Sequence, residues 1–134
     1  MTGGRTAGRS TAEVEAYLHD HIPVTRAMGV SVEAAGPESV VLSAPLEPNL
    51  NHRDTVFGGS ASALAILSGW TLVHLRLRDE GLHPRIVIQR NEMEYLRPIE
   101  DRFTATCAAP EAEAWDRLLR ALKGRGMGRI EVRA

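Results

Sequence analysis

The run Asn51-His52-Arg53-Asp54-Thr55-Val56-Phe57-Gly58-Gly59-Ser60 leads directly into Ala61 to Leu75, an almost wholly apolar stretch. A polar loop therefore ends in two glycines at the mouth of a predicted helix. The first amides of a helix have no partner inside it, and the helix dipole adds partial positive charge there. Glycines let a ligand come close to the main chain. The combination suits a carbonyl oxygen that is gaining negative charge. It also serves as a plain Gly-rich turn before a core helix, so the rest of the chain must distinguish the two.

Several other chemistries lack their residues. His52, His74 and His83 have no metal-ligand spacing among themselves or with acids, and no metal or other cofactor is expected. No serine sits in a G-x-S-x-G elbow. Lys123 to Gly128, KGRGMG, lacks the preceding strand of a nucleotide fingerprint, and no P-loop is present. The 16 Lys and Arg are scattered among 17 acids for a net charge of −1, and two Tyr, two Phe and two Trp are few platforms for bases. Nucleic acid is therefore not an expected partner.

At 134 residues, 43% hydrophobic and 25% charged, the chain suits one globular domain with a real core. Ala61 to Leu75 is shorter than the ~20 residues of a bilayer crossing and is interrupted by Ser62, Ser68, Thr71 and His74, so a buried helix is expected and a membrane is not. Cys107 stands alone in a strand-like FTATCAAP, which reads as a packed thiol in a reducing, cytoplasmic setting. Residues 1–10 read as a loose arm, with Gly, Thr and Arg and no apolar core, and residues 11–134 as the folded domain.

The elements that must position the Gly-Gly junction follow from periodicity. Ser10 and Glu13 have capping-box spacing, and Val14, Tyr17, Leu18 and Ile22 continue at helical intervals until Pro23. Val30, Val32 and Ala34, a Gly36-Pro37 turn, and Val40 to Leu46 predict a hairpin, which Pro45 and Pro48 end before the loop over 49–55. A central helix is expected from about Ser60 to Arg78, roughly 28 Å long, closed by Gly81. Ile86 to Tyr95 and Arg102 to Ala108 read as long strands joined across Pro98 to Asp101. Trp115, Leu118, Leu119 and Leu122 make one stripe of a last helix ending at Gly124, and Ile130 and Val132 begin a strand.

One long apolar helix among antiparallel strands implies an α+β fold in which a curved sheet wraps a helix. Four segments, HIPVTRAMGV, LSAPLEPNLNHRDTVFGGS, LSGWTLVHL and YLRPI, carry a family resemblance over roughly residues 13 to 133. The chain resembles hotdog-fold thioesterases, and among them the thioesterase domain at the C-terminus of YiiD-type proteins. The resemblance implies a homodimer or dimer of dimers joined at sheet edges, with acyl-CoA or acyl-carrier-protein thioester sites at the interface. It places the motif Asn on Asn51, and the carbonyl-polarising amide on Gly58, with Gly59 sharing that role. It also implies a further strand beyond the one that begins near Gly128, whereas the chain ends at Ala134.

Two departures alter the expected chemistry. Phe57 stands where the related HGG motif has His, and Ile66 where it has a helix carboxylate; neither moves a proton. Phe57 becomes a substrate-contact candidate instead. Asp54 is the candidate base on the loop, its ordinary use being a cap or a solvated charge. Ser60 and Ser68 are candidates to hold substrate or water, against the commoner bonding of a backbone carbonyl. His52 ranks below them, and Gln89 and Asn91 on the neighbouring strand lower still. Arg53, Arg90 and Arg97 lie nearest the motifs, and one or more suits a CoA phosphate or a carrier protein. Two functions follow: an acyl-thioester hydrolase working by helix polarisation and water attack, or a non-catalytic acyl-CoA-binding or partner-binding domain.

Overall fold

A computed structural model describes residues 9–134. The loose arm expected over 1–10 falls mostly outside the described residues. Ser10 caps α1 (Thr11–His21) as a full capping box: its hydroxyl accepts from the Glu13 amide at 3.1 Å and Glu13 accepts from its amide at 2.8 Å. A short α2 (Val24–Met28), not foreseen, follows Pro23 and ends at Gly29, whose φ of 73° is the left-handed cap that glycine supplies.

The predicted hairpin forms as β1 (Ser31–Ala35) and β2 (Ser39–Ala44), with a bulge between Val32 and Ala34. β3 (Phe103–Ala108) adds to β2, giving a three-stranded antiparallel sheet in the order β1-β2-β3. Alternation decides the faces: Phe103 and Cys107 point into the core while Thr104 and Thr106 face out. The outer edge of β1 is partly covered by α1, whose Glu15 accepts from the Val32 amide at 2.8 Å.

α3 (Gly58–Asp79) crosses the inner face against β2 and β3. It begins two residues earlier than periodicity suggests, at the glycines themselves. Leu64 and Leu72 are completely buried with Leu18, Val30, Val40 and Leu42. Its other flank packs Val73 and Leu77 against Trp115 and Leu118 of α4 (Ala112–Arg125). Covered from both sides, α3 needs apolar residues nearly all round. Gly81, φ 75°, follows its C-cap, and Gly126 rather than Gly124 closes α4 with φ 81°.

Two expected strands are corrected. Residues 86–95 join no ladder, and neither do residues 130–132. Both lie along α3. Trp70 Nε1 donates to the Ile86 carbonyl at 3.1 Å, and a Cβ on Gly69 would stand 2.8 Å from Val132 Cγ2 and 3.9 Å from Cys107 Sγ. The C-terminal segment thus passes over α3 beside β3 without joining it. The helix wrapped by an antiparallel sheet is the hotdog architecture, of mixed α+β class.

Candidate active site

The loop before α3 is built by its own side chains. Asn51 donates from Nδ2 to Thr55 Oγ1 at 2.7 Å and to the Val56 carbonyl at 3.3 Å. Its Oδ1 accepts from the Arg53 amide at 2.8 Å and the Thr55 amide at 3.1 Å. Both amide protons and the side-chain carbonyl are therefore committed to the loop, so Asn51 shapes the approach to the helix and has no donor left to aim at a ligand. Asp54, at φ 64° the only non-glycine residue with positive φ among the described residues, makes the turn of this loop with its carboxylate exposed.

Asn49 is a bracing residue that sequence reading missed. Only 3% exposed, it donates from Nδ2 to the Met28 carbonyl at 2.9 Å and the Pro45 carbonyl at 2.8 Å. Its own carbonyl accepts the Phe57 amide at 2.8 Å, while the Val56 amide reaches the Ile99 carbonyl at 2.9 Å. The two residues before the helix are thus tied to α2, the prolines and the YLRPI segment. Nothing in a lone Asn between Pro48 and Leu50 announces that role.

Phe57, extended at φ −60° and ψ 131°, is the N-cap. Its carbonyl accepts the amides of Ser60 at 2.9 Å and Ala61 at 3.2 Å. The amides of Gly58 and Gly59 have no acceptor among the described residues. These are the two donors at the positive end of a 22-residue helix. Two aromatic rings frame them. The Phe57 ring folds back so closely over Gly59 that a Cβ there would collide with it, and Tyr95 lays its ring 3.3 Å from the Cβ position of Gly58. The Tyr95 hydroxyl donates to the Gly58 carbonyl at 3.3 Å. Phe57 is 56% and Tyr95 59% exposed, so the rings flank the amides without sealing them.

Asn51, Phe57, Gly58, Gly59 and Ser60 therefore come together, with Tyr95 and Asn49 added. Ser68 does not join them: it lies about 15 Å along the helix from Gly58, fully buried, and donates to the Ala65 carbonyl at 2.7 Å. Gln89, Asn91, Arg97, Arg53, Arg90 and His52 are exposed and make no side-chain hydrogen bond or ion pair among the described residues. Ile66 is half-buried within the helix. Among the described residues no carboxylate or imidazole is hydrogen-bonded to the two glycines. Cys107 is fully buried, and burial pushes its thiol pKa up, which suits packing and not nucleophilic attack. Among the described residues no three His, Cys, Asp or Glu side chains cluster as metal ligands do, and no helix is long and apolar enough to cross a membrane.

Solved structures share this architecture. A protein of unknown function from Chlorobaculum tepidum TLS superposes with a TM-score of 0.86 at 30% identity, over 91% of this chain and 75% of that one. A putative thioesterase from Shewanella oneidensis gives 0.70 at 27% identity, over 75% and 74% of the two chains. A protein of unknown function from Pseudomonas aeruginosa shares the fold, with a TM-score of 0.72 at 23% identity over 88% and 77%. Residues 11–134 match the model of the putative thioesterase family defined by the YiiD C-terminal domain, and the chain belongs to that family.

Proposed function

We propose that the chain hydrolyses acyl thioesters, acyl-CoA first among them, at the N-terminus of α3. The observation that carries this reading is the pair of unpartnered amides on Gly58 and Gly59, at the head of a helix whose glycines admit a ligand. The thioester oxygen accepts from these amides, water adds to the carbonyl carbon, the C–S bond breaks, and a carboxylate and a thiol leave. Asn51 holds the loop in shape for this approach. Asp54, on the same loop, is the carboxylate assigned to take the proton from water, with Ser60 beside the reacting group. Arg53, Arg90 and Arg97 suit the phosphates of CoA or the acidic face of a carrier protein.

The second reading, an acyl-binding domain without turnover, is favoured by one observation: Phe57 and Ile66 replace the groups that move protons in the resembled motif, and among the described residues no carboxylate or imidazole is hydrogen-bonded to the glycines. Assembly as a homodimer, or a dimer of dimers, fits the exposed apolar side chains along residues 87–96, where Val87 is 74% and Leu96 85% exposed on a segment with free pairing groups. A monomer mass in light scattering at micromolar concentration contradicts assembly. The single, buried cysteine suits a reducing compartment such as the cytoplasm. Thiol release from acyl-CoAs of graded chain length tests the function: turnover of any one supports the hydrolase, and binding without turnover supports the alternative.

A further inference from the structure

Far from the Gly-Gly junction, the C-terminal half of α3 lines two adjoining open clefts of about 160 and 240 Å3, the first shared with α1 and the second with residues 82–86. Tyr17, His74 and Arg78 line both. Arg9 and Glu13 close the first, and His83 and Arg85 the second. His74 lies about 24 Å along the helix from Gly58, so this region is distinct from the helix mouth.

Side chains four apart on each helix build the shared wall. His21, Tyr17, His74 and Trp70 stack in that order, with ring centroids 3.9, 4.8 and 4.7 Å apart. Arg78 leans over the Tyr17 ring at 5.8 Å and donates to its hydroxyl at 3.5 Å. The stack gives a stiff, weakly polar floor, and cations gather around it. Of the nearby acids, Glu13 caps the Ser10 amide and Asp79 pairs with Arg9 at 3.8 Å. Neither Arg78 nor Arg85 has an ion pair among the described residues. The pKa of His74 falls to about 4, first through burial and then through Arg78, Arg9, His21 and His83.

We propose that the paired clefts are a phosphate-binding site, with Arg78 at the centre and Arg9 and Arg85 on either side. Arg78 belongs to both clefts, so its planar fork can meet two oxygens of one phosphate while the flanking arginines reach a second, as a diphosphate requires. Two arginines without an ion pair among the described residues, Arg78 and Arg85, over a low-dielectric aromatic floor, favour a compact dianion over a single carboxylate. The small volumes suit a phosphate or diphosphate group more than a whole nucleotide base and sugar.

Calorimetric titration of the full chain with inorganic phosphate, pyrophosphate and a sugar phosphate tests the proposal. Saturable binding of at least one of them in the millimolar range or tighter is expected, weakened at least ~10-fold in Arg85→Glu and in Arg78→Gln. Arg85 is exposed and has no ion pair among the described residues, so its variant should melt as the parent does, which keeps the test valid if Arg78→Gln folds poorly. Tighter binding of the inorganic ions identifies a free anion as the ligand; tighter binding of the ester identifies the phosphate end of a larger molecule. No saturable binding below about 10 mM, or equal affinity in parent and Arg85→Glu, overturns the proposal. The outcome does not depend on thioester turnover.

Discussion

Replacing His74 with Phe should flatten the acid side of the stability profile. The imidazole lies between the Trp70 and Tyr17 rings, and its pKa is lowered from 6.5 to about 4 by burial and by the surrounding positive charge. A base with a depressed folded-state pKa stays neutral in the folded chain, while the unfolded chain takes up a proton as the pH falls below its ordinary value. The contribution to stability is therefore complete above about pH 6.5, is lost as the pH falls toward 4, and changes no further below that. Between pH 7 and 5 the full shift would cost about 2 kcal/mol, which solvent screening of a partly exposed ring reduces to about 1 kcal/mol. For a chain of this length that is roughly 4 °C in Tm. Phe preserves the stacking and removes the titration. Thermal melts of both proteins at pH 7 and 5, at equal ionic strength, give the difference directly, and every other titrating group cancels. The parent should lose about 4 °C more than His74→Phe; equal losses would refute a neutral, buried His74.

Three further outcomes are expected. Gly59→Ala drives its methyl into the exposed Phe57 ring, which can swing away, so stability should hold or rise with helix propensity, by at most ~1 kcal/mol, while turnover falls; undiminished turnover would remove Gly59 from the site. Asn51→Ala deletes four hydrogen bonds that shape the loop and should lower the rate at least ~10-fold, a loss of ~1.4 kcal/mol in the transition state, with only a small fall in Tm because the loop is at the surface; an unchanged rate would separate the loop from the chemistry. Gly69→Ala places a methyl 2.8 Å from Val132 Cγ2 and should destabilise by about 1–3 kcal/mol, read in chemical denaturation, unless the C-terminal segment does not pack on α3.

The features legible in the sequence were those set by neighbours a few residues away. Ser10 and Glu13 announce the start of α1 because a capping box is closed within one turn. Ala61 to Leu75 announces a helix covered on both flanks, and the Gly-Gly pair marks where it begins. α2 escaped notice because five residues after Pro23 carry too little periodicity. Ile86 to Tyr95 has the composition of a strand and joins no sheet, since a ladder needs a neighbour that local composition does not specify. The candidate site was legible to the same degree. Gly58 and Gly59 stand where their spacing puts them, but the self-satisfied bonding of Asn51, the bracing by Asn49 and the cover from Tyr95 all depend on contacts that close only in the fold. The ring stack of Tyr17 and His74 likewise joins helices far apart in sequence.

The proposed polarisation of a thioester by the helix can be tested by deleting one amide. Gly58→Pro is suited to this: proline is favoured at the first position of a helix, Phe57 already has the extended backbone that a following proline requires, and the Gly58 amide has no acceptor to lose. The decisive measurement is kcat for acyl-CoA hydrolysis in the parent and in Gly58→Pro, with melting curves of both. A loss of about 100-fold or more at an unchanged Tm is expected, the effect of removing one oxyanion donor. Full turnover by a folded Gly58→Pro protein would contradict it.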